Sequence, residues 1–441
     1  MSESTPDSVC GYTADWGSKR MLEEHGELIG PGGVCCWRST WQDNDFCIWH
    51  TEEKRKPADE LRNARSSIPE RLDYAYLREV EFERDDEISF VNCNIRNSNM
   101  RDSKFINIDF SGCNLAMAEL HNSKLNHSNF SGARLSSTKL LNSKLIMTDL
   151  SNANAPDCQF QKSHLGSSNL SNSNFRNTNF SDCYLANCSF RSTTLRNVDF
   201  TDAQISNAVL CKSNLEDAIL KRTDIRSANF SHSRLFNAYF SAVRMNSATE
   251  FGGSTPYSDI DSLEEWDSTP TEAAIWTYRR LQSLHEEYAL PNRARKFHIQ
   301  KAESIKKRYW EEGRRLRWLA YAMNSILSSH GESPWRVVLV SLGTVCLWTP
   351  LYLIFGVFAV SGPPVNAQVV GIGFLSGSQV PQWLSEILLA FYYSSVTFTT
   401  LGYGDIQPVN TAAQYLSIIE SFAGAFLMAL LVFVLGRQTS W

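Results

Sequence analysis

Near the carboxyl end of the 441-residue chain, the run Thr399-Thr400-Leu401-Gly402-Tyr403-Gly404-Asp405 sets two glycines two positions apart between long apolar stretches. Gly402 and Gly404 open backbone angles closed to other residues, so successive carbonyls can turn toward one axis and replace the water around a dehydrated cation. The Thr400 hydroxyl can add an oxygen at the inner mouth of such a loop. A second set of residues points to metal ligation. In Cys47-Ile48-Trp49-His50 the two-residue gap lets Cys47 and His50 bind one ion, and Cys10 with Cys35 or Cys36 can complete a tetrahedral structural zinc site. A third is Glu420, the only acidic or basic residue in its apolar run, where an unpartnered carboxylate is costly.

The elements that must position these residues differ along the chain. Val337 to Val360 and Ala412 to Leu435 each exceed the roughly 20 residues that cross a hydrocarbon core of about 30 Å, and neither holds Lys or Arg. Between them Leu384 to Phe398 is apolar but too short to cross, which fits a re-entrant half-helix. Non-helical backbone survives at membrane depth only where protein buries it or a wet path solvates it, so half-helix and Gly-Tyr-Gly loop belong together. Arg293 to Arg317 holds ten Lys or Arg against three Glu, whereas Ser361 to Phe398 holds only Glu386. That asymmetry predicts a multi-pass cell-membrane protein with both termini cytoplasmic. The opening residues, without an apolar core or basic leader, are expected to be neither signal peptide nor anchor. One chain supplies one loop; a ring of carbonyls needs several, and a homotetramer is the natural count.

At Thr400 to Asp405 the chain resembles the potassium-channel pore family, in its members with two membrane helices per subunit. The resemblance implies a selectivity filter at Thr400, Leu401, Gly402, Tyr403 and Gly404 holding K⁺, with Leu401 departing from the usual Val or Ile. Tyr392 and Tyr393 are similar to the family's aromatic cuff, which implies filter support and a Tyr393 hydrogen bond to Asp405; two interfacial tyrosines are the alternative. Gly424, twenty residues after Gly404, resembles the spacing of the inner-helix hinge, with small-residue packing as the other reading. Glu420, one turn earlier, is either a cavity-facing charge that attracts cations or a neutral hydrogen-bonded acid behind the pore helix. No Arg-every-third-residue pattern precedes the pore, so voltage sensing is not expected, and control is expected from the amino-terminal side or the membrane.

The remainder of the chain is dominated by a repeat. From Phe90 to Met245 a large apolar residue recurs at every fifth position; of thirty-two positions only Ala155 is not Leu, Phe, Ile or Met. Two residues before each, thirty of thirty-two are Ala, Ser, Thr, Cys or Val. No helix or strand has period five, so each pentapeptide must turn a corner. The segment resembles the pentapeptide-repeat family, which implies a right-handed quadrilateral β-helix, four pentapeptides per coil, about eight coils and a rod on the order of 38 Å. Cys93, Cys113, Cys158, Cys183 and Cys188 fall at the small inward position and are expected to be reduced packing residues. Seventeen Lys or Arg against eleven Asp or Glu make the rod a poor DNA mimic, so no nucleic-acid partner is expected; an acidic partner, anionic lipid or plain solvation fits its faces. The overall net charge of −5 argues for no global field.

The expected order is a small Cys/His-rich domain (1–57), a helical cap (58–89, with helices at Ala58 to Arg65 and Ile68 to Phe82), the β-helix (90–248), a polar linker (249–271), cytoplasmic helices (272–334) and a two-transmembrane-helix pore domain with a re-entrant pore helix (335–441). In the fifth segment, helices are read at Glu272 to Ala289 and Asn292 to Leu327. The latter ends with Leu316, Leu319, Met323, Ile326 and Leu327 on one stripe beside Arg314, Arg315 and Arg317, a basic amphipathic pattern that suits the cytoplasmic leaflet or a coiled-coil contact between subunits. Taken together these readings predict a tetrameric potassium-selective channel whose cytoplasmic rod serves regulation or assembly through an unknown ligand or protein. A membrane-tethered binding scaffold with a silent or nonselective pore is the alternative. No nucleophile-base set or phosphate loop argues for an enzyme.

Overall fold

The computed structural model describes Cys10 and residues 38–65, 70–82, 88–252, 257, 269–355, 359–360, 382–404, 406–408 and 410–439. The chain divides into two compact units, Met1–Leu290 and Pro291–Trp441.

In the first unit, period five becomes geometry. Bridge partners lie twenty residues apart, as in Asn94 with Asn114 and Lys124 with Lys144, and all are parallel, so four pentapeptides close each coil. The residues at all thirty-two positions are buried, and phenylalanines stack from coil to coil, with Phe110 and Phe130 rings 4.8 Å apart. Each corner needs a left-handed residue two positions past the large one. Asn97, Asp102, Asn107 and Asn122 hold it with φ of 55 to 60°, a region that Asn and Asp enter more readily than other side chains. The small inward residues also hydrogen-bond between coils. Ser143 Oγ donates to Leu120 O at 2.7 Å and Thr193 Oγ1 to Leu170 O at 2.8 Å. Each such bond provides a partner for a buried carbonyl of the preceding coil. Cys183 and Cys188 occupy the same position and donate to Phe160 O and Leu165 O. Burial pushes the thiols of Cys158, Cys183 and Cys188 up to about 12.

The β-helix starts earlier than Phe90. Arg71, Tyr76 and Glu81 pair in parallel with Asn94, Asn99 and Lys104, with Leu72, Leu77 and Phe82 buried beneath them. Residues 70–82 are therefore a coil of the rod and not the helix expected over Ile68 to Phe82. The offset there is 23 residues instead of twenty, and that insertion shifts the frame and hides the period. A short helix remains at Ala58–Asn63 (α1). The coil also runs past Met245: Asn229 pairs with Glu250, Thr249 Oγ1 donates to Ile225 O, and Phe251 stacks on Phe230.

Helix α2 (Pro270–Glu287) closes this end. Thr269 caps it in a reciprocal pair with Glu272, which satisfies two orphan donors. Its buried face, Ile275, Tyr278, Leu281 and Leu284, faces inward, and Trp276 meets Phe236 edge-on.

The second unit is helical. The helix expected over Asn292 to Leu327 is two, α3 (Pro291–Glu311) and α4 (Arg315–Ser328). The break is at Gly313, φ 72°, where Arg314 N bonds Tyr309 O and Gly313 N bonds Trp310 O, a Schellman stop with glycine in its left-handed place. The unit split at Leu290 and Pro291 thus falls within the segment 272–334, assigning α2 to the rod and α3 and α4 to the pore. Next come α5 (Pro334–Phe355), α6 (Gln382–Phe398) and α7 (Thr411–Thr439). Helix α5 ends at Phe355, short of Val360; Ala359–Val360 instead pairs antiparallel with Ile406–Gln407. Helices α5 and α7 are long and apolar enough to cross a bilayer.

Candidate functional site

Helix α6 lies against both long helices. Val337, Val345, Phe398, Leu427 and Val434 form one apolar cluster among them, and Tyr352, Ala390, Tyr393 and Ala413 a second. A polar seam runs beside these clusters. Glu420 is fully buried, accepts from the Tyr352 hydroxyl at 2.5 Å and from Ser394 Oγ, and Ser394 also reaches Val345 O. Glu420 is thus buried and hydrogen-bonded to side chains of α5 and α6 in the single chain. Gly424, one turn on, meets the end of α6: a Cβ there would collide with the Phe398 carbonyl. The glycine permits close helix approach, the packing reading, whatever further role it has as a hinge.

The loop follows directly. Leu401 N bonds Val396 O and Thr400 N bonds Thr397 O, both at 3.1 Å. These are the two bonds of a Schellman stop, with Thr400 at the left-handed position, φ 56°. Gly402 and Gly404 are left-handed too, φ 55° and 74°, whereas Leu401 and Tyr403 are not. Left-handed and ordinary residues thus alternate along the loop, with glycine at two of the three left-handed places. The negative end of the α6 dipole lies at this loop and favours a cation. In the single chain the loop is open, with Leu401 59% and Tyr403 67% exposed.

Of the two tyrosines, Tyr393 is buried, edge-on to Tyr352, its hydroxyl 2.9 Å from Ser417 Oγ. Tyr392 faces outward. Asp405, the expected partner of Tyr393, is outside the described residues, as are Cys35 and Cys36.

In the first unit, Cys10, Cys47 and His50 converge: His50 Nδ1 lies 3.6 Å from Cys10 Sγ and 3.3 Å from Cys47 Sγ, and all three are buried.

One cluster had no sequence signal beyond isolated charges. At the far end of α7, Arg437 contacts Glu332 at 3.0 Å and His298 Nε2 at 3.1 Å, while His330 reaches Glu303 at 2.8 Å. Burial, helped by Arg437 and Lys301, lowers the pKa of His298 to about 4, so at neutral pH its ring accepts from Arg437. Burial raises the pKa of Glu332 although Arg437 and Arg295 oppose it.

Comparison with known proteins agrees with this division. Residues 351–440 match the family model "Ion channel". Residues 153–230 match "Pentapeptide repeat region", and 88–126 and 118–154 match "Pentapeptide repeats (8 copies)". The chain therefore joins a pentapeptide-repeat region to an ion-channel segment, and is a membrane protein of that kind. Similar solved structures include HetL, a pentapeptide repeat protein involved in heterocyst differentiation regulation from the cyanobacterium Nostoc sp., at 19% identity over 40% of this chain and 82% of that one, TM-score 0.21. Trypsin-treated QnrB1, a plasmid-mediated fluoroquinolone resistance protein, is 21% identical over 39% and 91%, TM-score 0.23. A pentapeptide repeat protein from the Arabidopsis thaliana thylakoid lumen is 24% identical over 24% and 63%, TM-score 0.12. No curated protein matches the chain.

Proposed function

We propose that four copies of this chain form a potassium-selective channel, in which K⁺ passes down its gradient through a ring of Thr400-Leu401-Gly402-Tyr403-Gly404 loops. The observation that carries the reading is the alternating left-handed backbone at Thr400, Gly402 and Gly404 directly after the α6 stop. Four such loops around an axis surround a dehydrated cation with carbonyl oxygens, and the dipoles of four α6 helices reinforce the field. The exposure of Leu401 and Tyr403 in the single chain supports a site completed by neighbours.

Orientation follows from charge. The Lys- and Arg-rich α3 and the start of α4 lie inside, with α5 and α7 crossing and both termini cytoplasmic. Helix α4 acts as the slide helix. Its polar side faces α3, where Ser325 Oγ bonds Glu303, and Leu316, Leu319, Met323 and Ile326 are left outward, Leu316 at 85% exposure. An apolar stripe turned away from the protein fits the headgroup boundary, while Leu327 packs on the α5 and α7 cluster. The β-helix contributes assembly or regulation from the cytoplasm.

Substituting Gly402→Ala puts a side chain on a left-handed residue and probes the pore itself. K⁺ flux into vesicles holding the full-length protein is expected to vanish while the tetramer persists on gel filtration. Undiminished flux would overturn the filter assignment, and an intact cellular function without flux would favour the scaffold.

A further inference from the structure

The amino-terminal segment contributes a buried set of metal-ligand atoms, outside the residues that match the ion-channel family model. Cys10 Sγ, Cys47 Sγ and His50 Nδ1 all fall within 4.8 Å of one another. A tetrahedral zinc with bonds of about 2.3 Å to sulfur and about 2.0 Å to nitrogen sets its sulfur and nitrogen ligands about 3.5 Å apart. The distances of 3.6 and 3.3 Å match that edge. Neither cysteine forms a disulfide.

The backbone arranges this set from both sides. His50 N and Thr51 N both bond Cys47 O, closing the turn that puts Cys47 and His50 on one side, and Cys10 N is tied to Arg38 O at 2.7 Å. The other imidazole nitrogen, His50 Nε2, lies 3.1 Å from Asp73 O. A proton on Nε2 donated to that carbonyl leaves the Nδ1 lone pair aimed at the two sulfurs, the orienting contact that metal-binding histidines commonly make. Asp73 belongs to the first coil of the β-helix, where Tyr76 N also bonds Trp49 O and the buried Trp49 ring meets Phe90 edge-on. The three ligands therefore join residue 10, the 47–50 turn and the end of the rod at one point.

We propose that Cys10, Cys47 and His50 bind one Zn²⁺, which staples the amino-terminal segment over the open first coil of the β-helix. Two thiolates and an imidazole select zinc over calcium or magnesium, whose ligands are oxygens. Residues 38–56 already cover the end coil, with Tyr76 N on Trp49 O, Arg55 N on Arg78 O and Lys56 Nζ on Tyr76 O, and the metal fixes that cover in place.

The test uses full-length protein purified without chelators. Elemental analysis is expected to find about one zinc per chain, and X-ray absorption at the zinc edge to show both sulfur at about 2.3 Å and nitrogen at about 2.0 Å. Cys47→Ser and His50→Ala should each lose that zinc, while Cys158→Ser, at a rod packing position, keeps it. The absorption spectrum is read on the unaltered protein, so a folding defect in the variants does not decide the outcome. Absence of zinc after reconstitution with the metal, zinc retained in both ligand variants, or a Cys10–Cys47 disulfide in peptide mapping would overturn the proposal.

Discussion

Thr400 and Gly313 end their helices in the same turn, yet one is a β-branched residue and the other a glycine. A non-glycine residue held left-handed costs about 1–3 kcal/mol and persists where the surrounding structure holds it there. In the proposed channel the Thr400 hydroxyl supplies an oxygen at the inner mouth of the loop; at Gly313 the turn only redirects the chain. In the proposed channel the Leu401 carbonyl would supply a ligand while its side chain, 59% exposed in the single chain, is left to pack against neighbours. Gly424 is the complementary case, a residue defined by what it lacks. Gly424→Ala should push the end of α6 away from α7 and lower stability by about 1–3 kcal/mol, the usual range for overpacking. Thermal denaturation of the reconstituted protein measures this; an unchanged midpoint would show that α6 and α7 separate freely there.

At the scale of elements, the end of α7 is held by charges from α3 and from the loop before α5. His298 is the titrating member, faced by Arg437, Lys301, His330, Glu332 and Arg295. Its pKa is depressed when folded, so its contribution is present above the ordinary value of 6.5 and is lost as pH falls toward about 4. At about 1.4 kcal/mol per unit, the loss is at most about 3.5 kcal/mol. Hydrogen exchange around Arg437 is expected to accelerate between pH 6.5 and 4, beyond the intrinsic change, and His298→Phe should flatten that response. An equal response in the variant would contradict the assignment. No local pattern announces this contact, since His298 and Arg437 are far apart in the chain and meet only when α3 folds back beneath α7. For Tyr393, expected to brace the filter through Asp405, the described contact is its hydroxyl 2.9 Å from Ser417 Oγ, and Asp405 lies outside the described residues.

Over the whole molecule, one half was legible because its rule is local and the other because its motif is specific. The period of five fixes which residues are inside before any contact is known, and the residue at every fifth position from Phe90 to Met245 is buried as read. The rule failed only where the frame slipped, at the coil of Leu72, Leu77 and Phe82 before the insertion and at Phe251 after a single added residue. The same regularity makes the rod sensitive at its stacks. Phe180 lies between Phe160 and Phe200, with ring centroids 5.0 and 5.5 Å away, so Phe180→Ala should cost about 3–5 kcal/mol. Denaturant titration followed by circular dichroism would register it, and a loss below about 1 kcal/mol would mean that the coils repack freely. The proposed potassium selectivity, however, rests on the loop after α6. The decisive experiment is the reversal potential of the full-length protein in liposomes under opposed K⁺ and Na⁺ gradients. A value near the K⁺ equilibrium potential is expected; a current reversing near zero under those gradients would contradict a potassium-selective filter.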